Sequence, residues 1–155
     1  MSHRKREDSM NPDELWNAVV SIINECDFPT NDPVLNEAYI VFHYYSELES
    51  GGHESLFTWF GSYIEEVGIE CYLNELIAIL EKMDAHDYAL IEKAYGEELW
   101  NMHIALENGE DREDEFYHFV EKADEAYHGL NQTIDTLLET YLVSHYKDFL
   151  ARTEV

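Results

Sequence analysis

From Ile134 the apolar residues Leu137, Leu138, Tyr141, Leu142, Tyr146 and Phe149 recur three and four positions apart, and His145 is the one polar member of the series. Only a helix, at 3.6 residues per turn, brings such a set onto one face. The same period runs through Phe116, Phe119, Val120, Ala123, Tyr127 and Leu130, and through Ile91, Tyr95, Leu99, Met102 and Leu106. It returns in Tyr72, Leu73, Leu76, Ile77 and Leu80. No segment alternates apolar and polar residues long enough to form a strand. The fold class is therefore all-α.

Local signals place the boundaries. Asn11-Pro12-Asp13-Glu14 and Asn31-Asp32-Pro33 each offer a capping side chain next to a proline. Proline is at home in a first helical turn, where its missing N–H is not needed, and acids there favour the positive end of the helix dipole. Gly51-Gly52, Gly68, Asp84-Ala85-His86-Asp87, Asn108-Gly109 and Gly129 then punctuate the chain. These breaks predict a single domain, a compact bundle of about seven helices over residues 11–152, after a basic-tipped, patternless tail at 1–10. Gly51-Gly52 reads as a helix stop and tight turn, the sixth helix runs from Asp111 to about Gly129, and Asp32, Asp84 and Asp87 read as caps and turn formers.

The surface of that bundle is strongly acidic. Thirty-four Asp and Glu face nine Lys and Arg, a net charge of −25, and Arg4, Lys5 and Arg6 place three of the nine cations at the N-terminal tip. A small domain needs a net charge of only about 2–8 for solubility. A surface so negative repels nucleic acid and anionic membranes and attracts cations or basic proteins. No stretch reaches the roughly 18 apolar residues of a membrane helix and no secretory signal is visible, so a cytoplasmic protein is expected. Cys26 and Cys71 have no metal-ligand spacing and read as reduced, buried thiols.

Few residues suggest catalysis. Glu115/His118 and Glu125/His128 repeat a Glu-x-x-His pattern used by helical di-metal sites, but both pairs lie on one helix, about 15 Å apart along its axis. Such sites need the two motifs on different helices. His145, on an apolar stripe, reads as a core histidine held by a hydrogen bond. No phosphate loop or nucleophile motif occurs, so no catalytic, cofactor-binding or metal residue is assigned and no cofactor is expected.

The acids themselves form a pattern. Asp114, His118, Glu121 and Glu125 step by four, three and four along the sixth expected helix, with Asp111 and Asp124 beside them. The fifth adds Glu92, Glu97, Glu98 and Glu107, and Glu110 follows in the turn. These ten carboxylates are the expected partner-binding face. A helix rises about 1.5 Å per residue, so its acidic face can approach the charge density of DNA, about one charge per 1.7 Å of duplex.

Residues 46–60, Ser-Glu-Leu-Glu-Ser-Gly-Gly-His-Glu-Ser-Leu-Phe-Thr-Trp-Phe, resemble a helical family typified by the larger of the described bacterial DNA-mimic proteins. Gly51 and Gly52 match its glycine pair, Leu56 and Phe57 answer its aromatic pair, and Ala123-Asp124-Glu125-Ala126-Tyr127 answers a later stretch. Ser50, His53, Ser55 and Trp59 depart from it. The resemblance implies an all-α fold, a homodimer and no cofactor. In the type member acidic side chains imitate DNA towards a DNA-binding regulator.

The leading expectation is a non-enzymatic protein that engages a basic protein through carboxylate-rich helices, as a DNA mimic towards a regulator or as an immunity-like inhibitor of a toxin. The alternatives are a metal-dependent helical enzyme using His118, His128 and neighbouring acids, and a structural or adaptor domain whose charge is incidental.

Overall fold

The computed structural model describes residues 11–131 and 133–145. Within them the chain forms six helices: α1 (Pro12–Glu25), α2 (Pro33–Val67), α3 (Ile69–Lys82), α4 (His86–Glu107), α5 (Glu113–His128) and α6 (Thr133–Ser144). The tail at 1–10, and the part of the last expected helix that holds Tyr146 and Phe149, lie outside the described residues.

The starts follow local chemistry. Asn11 caps α1 by accepting from the Glu14 N–H at 2.8 Å, and the Glu14 carboxylate accepts from the Asn11 N–H at 3.3 Å. This reciprocal box satisfies two donors that the helix leaves orphaned. Asp32 caps α2 through Val34, with Pro33 at the first position. At the other end of α4, Gly109 takes a φ of 86°.

The helix count is the main departure from expectation. The second and third expected helices follow one another within α2 as two limbs, separated by a single non-helical residue, Gly52, at φ 73°, ψ −162°. That region of backbone space is essentially reserved for glycine. Gly52 is the corner between two limbs. His43 and Trp59 are sixteen residues apart, which is roughly 24 Å on a straight helix, yet their rings stack at 4.7 Å. Tyr39 likewise meets Phe60 at 6.1 Å, and Ser55 Oγ donates to Glu47. The two limbs of α2 therefore fold back on one another, with the reversal at Gly51-Gly52.

This bent helix is the hub of the bundle. It packs on α1, α3, α4, α5 and α6, while α3 pairs with α4, α4 with α5, and α1 with α6. Gly96 lets α3 approach α4, because a Cβ there would sit 2.7 Å from Leu73 Cδ2. Val19, Val41, Tyr44, Leu56, Phe57, Leu76, Leu99, Phe116, Ala123, Ile134 and Leu142 are wholly buried and come from every helix. No helix of the described residues is long and apolar enough to cross a membrane.

Both cysteines are free, but Cys71 is exposed, contrary to the expected burial. It lies in the first turn of α3, on the side of the helix away from the buried Tyr72, Leu73 and Leu76. His145 is half-buried at the end of α6, with Nδ1 2.9 Å from the Tyr141 carbonyl.

Candidate functional site

Because α2 turns at Gly52, the N–H of His53 begins a new limb without a helical acceptor behind it. Asp124 of α5 supplies one. Its Oδ1 accepts from the His53 N–H at 3.0 Å and lies 2.7 Å from His53 Nδ1. On the other side of the ring, Nε2 meets Glu92 Oε2 of α4 at 2.7 Å. His53 and Glu92 are fully buried, and the Asp124 side chain keeps 24% of its exposure.

The protonation state follows from this geometry. Burial works against a charged imidazole, but Glu92 and Asp124 together outweigh it and push the His53 pKa up to about 10. At neutral pH both ring nitrogens donate, and three helices are joined by two charge-assisted hydrogen bonds. The second Glu92 oxygen and the hydroxyls of Tyr44 and Tyr72 are buried without a hydrogen-bond partner. Burial, and next the Glu92 charge, hold the pKa of both tyrosines well above the ordinary phenol value.

This cluster takes in two residues expected on the partner-binding face, Asp124, whose carboxylate is turned to His53, and Glu92. Glu92 was expected on an outward acidic face, and it is instead at the centre of the molecule. It lies four residues after Tyr88 and seven before Leu99, on the stripe of α4 that packs inward. The other α4 acids do not form one row either. Glu97, Glu98 and Glu107 are exposed, but nine residues separate Glu98 from Glu107, which turns them about 180° apart around the axis. Glu97 borders α3 near Glu70 and Lys93. Arg112, paired with Glu115 at 2.8 Å, also feels Glu110 and Glu98, so that corner is partly neutralised.

On α5 the row stays together. Asp114, His118, Glu121 and Glu125 are all exposed, as are Glu110 and Asp111 in the preceding turn. The helix lies across the α2 corner. The hydroxyl of Tyr117 donates to Glu54 at 2.9 Å, Asp124 holds His53, and the hydroxyl of Tyr127 donates to Glu49 at 2.8 Å. A Cβ on Gly52 would collide with the Asp124 carboxylate, so α5 can sit this close only over a glycine.

Together these side chains form an open groove of about 530 Å³ lined by Tyr117, Val120, Glu121, Asp124, Glu125 and His128. Of the six acids of α5, Asp124 is held by His53 and Glu115 by Arg112, so four others, with Glu49 and Glu54 of the corner, place six carboxylates over a helix of roughly 24 Å. That is about one per 4 Å, against about 3.4 Å per phosphate of one DNA strand. Glu49, Glu54 and His53 were not picked out from the sequence. The first two flank Gly51-Gly52, and their acidity beside a helix break was the available signal. His118 and His128 are exposed and ten residues apart on α5, and among the described residues no three His, Cys, Asp or Glu side chains are arranged to hold a metal ion.

Fold and site define an all-helical protein that displays carboxylates on a helix pinned to a buried ionic cluster. The chain belongs to the family of DMP19-like proteins, DNA mimic protein 19-like, which it matches over residues 31–145. That span takes in α2 to α6, with both Gly52 and Asp124. No curated protein and no solved structure matches the chain.

Proposed function

We propose that the chain is a non-enzymatic binding protein that presents the α5 carboxylates and the α2 corner acids to a basic DNA-binding protein, in place of DNA phosphates. The observation that carries this reading is the exposed row of Asp114, Glu121 and Glu125 on a helix fixed in place by the Asp124–His53 contact. A rigid array is what a phosphate-binding cleft requires, since its cationic side chains are set to the spacing of a stiff polymer. Family membership supports the reading. A net charge of −25 would also accelerate encounter with a basic partner at low ionic strength.

The test is capture of a partner from host lysate in low salt, elution by a salt step, and competition with duplex DNA. Glu121→Gln/Glu125→Gln should weaken the captured complex about tenfold, and duplex DNA should displace this protein from its partner. A partner that DNA fails to displace would assign the acids to inhibition of a basic toxin. Affinity indifferent to ionic strength would overturn both versions.

A further inference from the structure

The two limbs of α2 and the loop before them line a second site. Phe28, Tyr39, Trp59, Phe60 and Tyr63 wall a pocket of about 310 Å³, and Glu66 stands at its edge as the one charged residue. Trp59, Tyr63 and Glu66 are four and three residues apart, so one face of the second limb supplies all three. The pocket exists because the Gly52 corner returns Trp59 and Phe60 to the level of Tyr39 and His43.

The rings are not equivalent. Phe28 and Tyr39 stack face to face at 4.3 Å, and Tyr63 meets Phe28 edge-on at 4.8 Å, so these three mostly cover one another. Trp59 is different. One face of its indole rests on His43, while 48% of the residue remains exposed, an unusual position for tryptophan in a bundle. Burial lowers the His43 pKa, so the ring behind Trp59 is uncharged at neutral pH and no cation already occupies that side. An open indole face with a carboxylate two turns away, on a protein of net charge −25, is complementary to a flat cation. A guanidinium fits that description better than an ammonium, since it stacks in a plane on an aromatic face while its N–H fork points at a carboxylate.

We propose that this pocket receives an arginine side chain of the basic partner, stacked on Trp59 and directed at Glu66, and that it gives the protein a preference for arginine over lysine. The proposal rests on the binding function above and adds to it a contact that general acidity does not supply.

The test uses two peptides of equal length and charge, one of arginine and one of lysine, titrated into the full chain by calorimetry and followed by the Trp59 indole N–H signal in NMR spectra. The arginine peptide should bind about fivefold more tightly, the factor expected of a cation–π contact at a partly exposed ring, and should shift the Trp59 signal. Trp59→Leu should remove the preference and leave lysine-peptide binding unchanged, and Glu66→Gln should reduce it. Glu121→Gln/Glu125→Gln should weaken both peptides alike while the preference survives. Equal affinity for the two peptides, or a preference that persists in Trp59→Leu, would overturn the pocket and leave the α5 surface standing. Affinities for both peptides left unchanged by the α5 substitutions, with the arginine preference intact, would do the reverse. If neither peptide binds, both readings fall.

Discussion

Asp124 on α5 reaches the backbone N–H and the ring of His53 on α2 with a single carboxylate oxygen, at 3.0 and 2.7 Å. One side chain therefore caps the second limb of the bent helix, neutralises a buried cation and fixes the helix that carries the exposed acids. The consequences for stability can be measured separately.

Replacement of His53 by Ala should strand Glu92 in the core without its partner. Breaking a buried ion pair by removing one member typically costs about 3–5 kcal/mol, because the remaining charge is left uncompensated. Urea denaturation of His53→Ala should show that loss, and Glu92→Gln should show a smaller one, since the ring can then become neutral.

The same cluster sets a pH dependence. The folded His53 pKa, about 10, lies above its ordinary 6.5. Its contribution is therefore complete below about pH 6.5 and is lost as pH rises towards 10. The melting temperature should fall between pH 7 and 9.5 more steeply in the native protein than in His53→Gln. Equal slopes in the two proteins would show that the ring is not charged in the fold.

Gly52 and Gly109 both have positive φ, but only Gly52 faces a neighbour. Gly109→Ala should cost about 1 kcal/mol from backbone strain alone. Gly52→Ala adds a collision with Asp124 and should cost at least about 3 kcal/mol. Thermal melts of the two variants side by side would separate the terms, and similar losses would mean that α5 is free to move away.

Added salt should stabilise the protein. Self-repulsion among exposed acids weakens the compact state and is screened once the Debye length falls below about 10 Å. Raising sodium chloride from low to physiological levels and beyond should lift the melting temperature by roughly 3–6 °C, or about 1–2 kcal/mol. An unchanged melt would mean that the acids are too far apart to interact.

What could be read from the sequence was what local chemistry decides. The Asn11 box, the Asp32 cap and the inward stripe of α6 need only neighbours within a few residues. Gly51-Gly52 was legible as a helix stop and tight turn, but the pairing of His43 with Trp59 across it was not, because that depends on how two limbs pack. The α5 row was visible at its helical spacing. The buried cluster was not, since Glu92 and Asp124 lie 39 and 71 residues beyond His53. Glu92 did carry one signal, its place on the same stripe as Tyr88 and Leu99.

The bend at Gly52 also removes a loop. From Pro33 to Lys82 the chain passes through two limbs of α2 and into α3 with only Gly68 between the helices. A protease must draw several residues into an extended strand before it can cut, and this stretch offers no such handle. Among the described residues, a glutamate-specific protease should cut first after Glu25, at the edge of the connection 26–32, and after Glu110, within 108–112, and should leave the numerous glutamates of the central hairpin intact until the whole fold opens.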